Sequence, residues 1–221
     1  CPSDWQPITI YELLTHTSGI PNYTDLPDFP KVMSKSLTPI ELMGLFKNKP
    51  LDFKPGAKFS YSNSGYVVLG YIIERTSGKK YQLFLQQHIF GPLGMRDSGY
   101  GTNHPMGASH AKGYRYDNGK YTPAPFTDMS TPFSAGALYS TVRDLYTWDR
   151  ALAAGKLIPA VLQKQMFTPQ VPVPDQGVDV HYGFGWFSCK SVGLTEYSHE
   201  GGIPGFTSFN SWYPEQHVYV I

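Results

Sequence analysis

The chain has 221 residues, is 41% hydrophobic and 16% charged, and carries a formal net charge of +1. That is a globular composition, long enough for one large domain or a sizeable part of one. The even charge balance excludes the basic footprint of a nucleic-acid binder, and no apolar run of about 18 residues is present to span a membrane. The chain contains 16 Tyr, 13 Phe and 4 Trp, which either fill a core or line a loop-built cleft facing sugar or peptide. Two cysteines, Cys1 and Cys189, are too few for a disulfide framework; a single bridge or two thiols are both open. The chain opens without Met and closes inside an expected strand, so both ends read as cut from something longer. Any signal region lies outside it.

The predicted elements run from helices to strands. Thr9-Ile10-Tyr11-Glu12 has capping-box spacing, Ile10, Leu13 and Leu14 follow at helical positions, and Gly19 with Pro21 is the expected stop. Thr38-Pro39-Ile40-Glu41 repeats the start signal with Pro at the first helical position, for a helix to about Phe46. Residues 48–60 read as loop. From Asn63 to Thr76 the apolar residues Val67, Val68, Tyr71 and Ile72 keep helical spacing, and Ser77-Gly78 ends the run. A helix over roughly 80–89 is then turned by Gly-Pro-Leu-Gly. Residues 100–135 read as an extended loop region with a hairpin around Asp117-Asn118-Gly119. Thr141 caps a helix from Val142 to about Ala153, ended by Gly155, and a short helix begins at Pro159. Strands are expected over 182–188, 196–199, 206–213 and 217–221, arranged as an antiparallel meander. Helices first and strands last argue an α+β fold.

Two short motifs carry chemistry. Tyr61-Ser62-Asn63 stands at a loop-to-helix junction, where a side chain projects into a cleft while the helix fixes its base. A phenol at Tyr61 shuttles protons if nearby cations lower its pKa, and the Asn63 amide offers a donor and an acceptor to a carbonyl. The plain alternatives are a core ring and a helix cap. His199-Glu200-Gly201-Gly202 lies at the end of a strand before Ile203-Pro204-Gly205. Glycines on an edge strand let a substrate backbone approach, and a free N–H there forms half of an oxyanion hole. The alternative is a Gly-rich turn with a surface His. His16 reads as a structural residue that holds a loop through its ring nitrogens. His88, His104, His110, His181 and His217 lack metal-ligand spacing. Asp144 reads as a helix-start carboxylate, and Tyr139 and Trp186 line either cleft or core.

The ordered blocks ITIYELLTHTSGIPNY, FKPGAKFSYSNSGYVVLGYIIERTSGKKY, IFGPLGMRDSGY, SAGALYSTVRDLYTW, YGFGW and HEGGIPGF resemble the serine β-lactamase-like family. That family includes class C β-lactamases, D-alanyl-D-alanine carboxypeptidases and related esterases. The resemblance implies an α+β fold of the β-lactamase/transpeptidase type. An antiparallel sheet flanked by helices stands beside a mostly helical subdomain, incomplete at both ends here. It implies one domain fragment over 1–221, helices and loops over about 1–170 and strands over about 171–221. The implied activity is hydrolysis of amide or ester bonds through an acyl-serine, as a penicillin-binding-protein-like peptidase or esterase. A β-lactamase and a non-catalytic scaffold or binding protein are the alternatives. By resemblance, Tyr61 is the catalytic tyrosine and Asn63 binds the acyl side-chain amide of the substrate. His199 stands where many members have the Lys of Lys-Thr-Gly, Gly201 matches the glycine of that motif, and Gly202 supplies the oxyanion N–H. No cofactor and no metal are implied. The implied partners are a small-molecule, peptide or ester substrate, and a missing N-terminal segment or partner chain that completes the sheet. The implied location is periplasmic, cell-surface or secreted.

Two departures stand out. The family's Ser-x-x-Lys nucleophile precedes the first block, whereas this chain's two matches, Ser77 to Lys80 and Ser109 to Lys112, follow Tyr61. They read as chance matches, with the nucleophile outside the chain. Glu200 replaces the usual Thr. A carboxylate there repels a substrate carboxylate and favours neutral or cationic substrates, unless strand alternation turns it away from the cleft.

Overall fold

The structure, a computed structural model, describes residues 2–103, 110–174, 176 and 179–221. Helices α1 (Ile10–Leu14) and α2 (Pro39–Gly44) start where local chemistry dictates. Each is entered through a Thr whose hydroxyl takes an early helix amide, while a Glu three residues on returns to the Thr amide. These are the capping boxes expected at Thr9 and Thr38. α1 ends at Leu14, earlier than Gly19 and Pro21 imply, because the chain turns at Thr15 and His16 takes a left-handed φ of 56°. Thr15, His16, Thr17, Ser18 and Ile20 then run buried through the interior. A buried loop has to satisfy its own main chain, and the segment 52–60 does so. Asp52 N donates to Gly19 O (2.8 Å), Gly56 N to Thr17 O (2.8 Å) and Ser60 N to His16 O (2.9 Å).

The long helix α3 (Asn63–Ser77) ends at Gly78, whose φ of 68° makes the left-handed cap. Its two glycines let neighbours close in. Gly65 lies on the Leu13 carbonyl, and a side chain at Gly70 would overlap Ser134. Val67 enters a core with Leu13, Ile20, Tyr23, Leu42, Phe46 and Phe133. The helix expected over 80–89 is longer. α4 (Tyr81–Leu85) passes through a π-helical turn (Gln86–Phe90) into α5 (Gly91–Leu93), and Gly94 at φ 69° is the actual stop. Pro92, which lacks an N–H, is tolerated beside a turn where the regular ladder is already interrupted.

Strand β1 (Gly99–Tyr100) precedes the expected hairpin of β2 (Tyr114–Asp117) and β3 (Lys120–Pro123). Asn118 and Gly119 both have positive φ, 47° and 79°, as a type I′ turn requires. β4 (Leu138–Tyr139) returns to pair with β1, an unpredicted two-stranded sheet. α6 (Val142–Ala153) is capped by the Thr141 hydroxyl, and α7 (Ala160–Phe167) follows Pro159. Asp144 does more than start α6. It is buried and accepts from Asp97 N (2.9 Å) and Ser98 Oγ (2.8 Å).

The main sheet is an antiparallel meander of β5 (Val171–Pro172), β6 (His181–Tyr182), β7 (Phe187–Ser191), β8 (Leu194–Ile203), β9 (Phe206–Tyr213) and β10 (Val218–Val220), each beside the next. The single strand expected over 182–188 is in fact two strands. Gly183 N donates to Trp186 O (2.7 Å), closing a tight turn in which Gly185 has φ 81°. A side chain at Gly183 would overlap the Met166 carbonyl oxygen. Trp186 consequently packs inward with Leu152 and Phe167, in the core that joins α6 and α7 to the sheet. β8 is also longer than expected and contains the whole His199-Glu200-Gly201-Gly202 run.

One polar contact crosses that core. Asp149 on α6 is buried, and its Oδ1 accepts from Asn210 Nδ2 on β9 (2.8 Å). Asp149 Oδ2 and Asn210 Oδ1 have no partner among the described residues. Burial, opposed by the Asn210 bond, pushes the Asp149 carboxyl up to about 6. Between the unfolded value near 4 and the folded value near 6, the folded state holds the extra proton. Stability therefore falls as pH rises through that window. Asp149→Asn keeps the acceptor and adds a permanent donor. Its expected effect at pH 8 is a gain on the order of 1–3 kcal/mol, shrinking to nothing at pH 4, read from denaturant midpoints. An equal loss at both pH values would contradict the assignment.

Candidate active site

The start of α3 is built by the loop that follows α1. Ser62 Oγ donates to Ile20 O (2.9 Å), Asn22 Oδ1 accepts from Asn63 N (3.0 Å), and Ser64 Oγ donates to Pro21 O (2.6 Å) while accepting from Tyr23 N (2.9 Å). Ser62 holds the N-cap position without a side-chain cap; Asn22 serves the first orphan amide instead. Asn63 is thus the first helical residue and not the cap. Its Nδ2 reaches Thr24 Oγ1 (3.4 Å). These bonds fix the backbone on both sides of Ser62, and so fix where Tyr61 stands.

Tyr61 is 40% exposed and lies against buried His16, with ring centroids 4.1 Å apart. It faces His199 at 6.2 Å. Burial first, and then the Glu200 carboxylate, push its phenol pKa up. The cation-lowered tyrosine envisaged from sequence is not what these residues make; Tyr61 here keeps its proton at neutral pH. His16 Nδ1 accepts from Ser62 N (3.0 Å) and its Nε2 lies 3.3 Å from Tyr182 Oη. Burial, with His199 nearby, pushes the His16 pKa down to about 3. His199 Nε2 lies 3.0 Å from the same Tyr182 oxygen, and its Nδ1 lies 2.6 Å from Glu200 O. Burial also lowers the His199 pKa.

The His199–Gly202 run is not on an outer strand, since β8 lies between β7 and β9. It is nevertheless a local edge, because β7 is short. Pairing with β7 stops at Phe187↔Ser198, while pairing with β9 continues from His199↔Asn210 to Ile203↔Phe206. Among the described residues, no strand therefore pairs with 199–203 on the β7 side. A Cβ at Gly201 would lie 2.5 Å from Ser208 Oγ, a contact that a turn of the Ser208 side chain relieves. Around Gly202 nothing lies within 4 Å of such an atom. Glu200 is exposed, and its charge acts on both Tyr61 and His199. That places its carboxylate within electrostatic reach of the cleft.

The remaining candidates fall elsewhere. Ser77 Oγ donates to Ile73 O (2.6 Å) within α3, and Lys80 Nζ lies 3.9 Å from Glu74; this pair closes a helix end. Ser109, His104 and Cys1 lie outside the described residues. Cys189 sits on β7 beside Glu196 (4.0 Å). Tyr139 packs on His110, with centroids 5.2 Å apart. Among the described residues, no group of three or more His, Cys, Asp or Glu is placed to hold a metal, and no helix is long and apolar enough to cross a membrane. Sequence reasoning missed Tyr182, which joins the two histidines, and Asn22 and Thr24, which hold Asn63. The block YGFGW was the available signal for Tyr182.

The sequence model of the family described as Beta-lactamase matches residues 2–221. The putative penicillin-binding protein PbpX of Bacillus subtilis (strain 168) is 33% identical over 207 residues, covering 94% of this chain and 48% of that protein. The chain spans about half the length of the curated relatives it matches first. A D-stereospecific amidohydrolase from Streptomyces sp. superposes with a TM-score of 0.86 at 29% identity, covering 99% of this chain and 70% of that one. D-amino acid amidase from Ochrobactrum anthropi SV3 gives a TM-score of 0.81 at 29% identity, covering 98% and 65%. The helices and antiparallel sheet are the α+β fold of these hydrolases and penicillin-binding proteins, and the chain belongs to the beta-lactamase family.

Proposed function

We propose that this chain forms the tyrosine and His-x-Gly walls of a serine hydrolase site that cleaves amide or ester bonds through an acyl-serine. The observation that carries the reading is convergence. Tyr61 and His199, far apart in sequence, meet 6.2 Å apart beside a strand edge that no described strand pairs on the β7 side. Tyr61, protonated at neutral pH, passes a proton between nucleophile and leaving group. Asn63 binds the substrate amide, Gly201 lets the strand lie close, and the Gly202 N–H holds the developing oxyanion. The nucleophile in this reading is a Ser-x-x-Lys pair outside residues 1–221; the commitment of Ser77 to its own helix supports it. Residues 1–221 are one part of a single β-lactamase-like domain, with helices and loops to about 170 and the main sheet after it. Relatives named as penicillin-binding proteins support a location outside the cytoplasm, in the periplasm, at the cell surface or in the medium.

Glu200 sets the substrate charge. A carboxylate acting on Tyr61 disfavours an anionic group beside the scissile bond and favours a free amine or a neutral ester. In the protein carrying its nucleophile, hydrolysis of an amino-acid amide or ester with a free amine is expected to exceed hydrolysis of a D-Ala-D-Ala peptide or a nitrocefin-like lactam. Glu200→Thr is expected to narrow that ratio by about tenfold. An anionic lactam turned over fastest by the native protein, with no response to Glu200→Thr, would contradict this reading and make the protein a β-lactamase. Hydrolysis of none of these substrates would favour a non-catalytic scaffold.

A further inference from the structure

The two walls of the cleft are joined by one directed line of hydrogen bonds, and both of its ends are backbone groups. At one end the Ser62 amide donates to His16 Nδ1 (3.0 Å). Neutral His16 therefore carries its single ring proton on Nε2, which lies 3.3 Å from Tyr182 Oη. At the other end His199 Nδ1 lies 2.6 Å from Glu200 O. A carbonyl only accepts, so Nδ1 is the protonated nitrogen of His199 and Nε2 is an acceptor. That acceptor lies 3.0 Å from Tyr182 Oη. The phenol has one proton. The Tyr66 hydroxyl also lies in bonding reach of Tyr182, but it donates its own proton to Leu14 O (3.0 Å). With Tyr182 accepting from His16, donation of the Tyr182 proton to His199 is the arrangement that gives both neutral imidazoles a partner.

Tyr182 is fully buried, packed edge-on to Phe187 and tilted against Phe59. A phenylalanine would fill the same space. A buried hydroxyl costs free energy unless it is bonded, and the partners of this one are the two imidazoles and the Tyr66 hydroxyl. His16 in turn is held at a strained φ of 56°, which persists only where the surroundings over-determine it. The middle residue of Tyr61-Ser62-Asn63 supplies the amide that starts the line, so the line ties that tripeptide to the His199 strand.

We propose that Tyr182, backed by His16, is a positioning residue that locks His199 in its Nδ1–H tautomer and registers it against Tyr61-Ser62-Asn63. The catalytic part of this inference rests on the hydrolase reading above; the tautomer part does not. With both nitrogens engaged, His199 is an oriented, neutral wall of the cleft and not a proton carrier. Proton movement within these residues then falls to Tyr61.

The test is nitrogen NMR of the histidine-labelled protein carrying its nucleophile, at neutral pH, with Tyr182→Phe and His16→Gln beside the native protein. The native spectrum is expected to show His199 with a protonated Nδ1 and an unprotonated Nε2. Tyr182→Phe is expected to move the proton onto Nε2 in a measurable fraction of molecules. It is also expected to lower kcat by about tenfold or more, with KM nearly unchanged. His16→Gln is expected to give the same trend more weakly. A native His199 protonated on Nε2 overturns the proposal whatever the variants do. So does a Tyr182→Phe protein whose His199 tautomer and kcat both match the native protein. Absence of any hydrolysis by the native protein, with the expected tautomer present, would instead strike the hydrolase reading alone.

Discussion

Tyr61→Phe, in the protein that carries the nucleophile, is expected to lower kcat on a chromogenic ester by about 10²–10⁴-fold, the range of a lost proton-transfer group. KM and the thermal midpoint are expected to stay close to native. The ring is what packs: its centroid lies 4.1 Å from that of His16, tilted against it, and Phe retains that contact. No hydrogen bond among the described residues holds the hydroxyl, and 40% of the residue is exposed. Its loss therefore removes chemistry without leaving a buried partner unsatisfied. The direction of its pKa bears on the mechanism. Burial and Glu200 both raise it, so Glu200→Gln is expected to bring the Tyr61 titration down, seen by ultraviolet difference spectroscopy. Native turnover in Tyr61→Phe would remove Tyr61 from the proton path.

Gly19→Ala is expected to be the most destabilising small substitution in the chain. Gly19 has φ 74°, and a Cβ there would overlap the Phe53 carbonyl oxygen, which is backbone and has nowhere to go. The left-handed conformation costs about 1–2 kcal/mol for a residue with a side chain. The overlap adds about 1–3 kcal/mol as the buried loop shifts. The hydrogen bond from Asp52 N to Gly19 O and the placement of His16 both depend on that loop. Gly56→Ala is the internal control. Its φ is 80°, but nothing lies within 4 Å of an added Cβ, so only the conformational cost applies. Urea midpoints read the difference, and equal losses for the two variants would refute the steric account. Gly19→Ala is also expected to lower hydrolysis beyond what its stability loss explains, because the loop it distorts holds Ser62 through His16.

What is legible in the sequence is what neighbouring residues decide among themselves. The capping boxes at Thr9 and Thr38, the Asn118-Gly119 turn and the Gly78 stop are all settled within a few residues, and each stands where the sequence puts it. The errors have remote causes. Gly183 reads as part of a strand until the Met166 carbonyl, on another element, is found against it. The helix through Pro92 reads as a turn because a π-helical interruption has no local signature. Of the site, Tyr61, Asn63 and the His199–Gly202 run are visible as motifs in order. Tyr182 is not, because its meaning lies in two imidazoles distant in the chain and a buried hydroxyl looks, in sequence, like any aromatic strand residue. The effect of Glu200 is only half visible. Alternation along a strand leaves its direction open, and only the folded arrangement brings its charge to bear on Tyr61.

The proposed serine site takes its nucleophile from outside these residues. The direct measurement is to label the protein, together with its flanking sequence, with a fluorophosphonate probe and locate the modified residue by peptide mass spectrometry. The expected result is one stoichiometric adduct on a Ser of a Ser-x-x-Lys pair outside residues 1–221, and no adduct on the 221-residue chain alone. An adduct on Ser77, on Ser109 or on any other serine within the chain would contradict it.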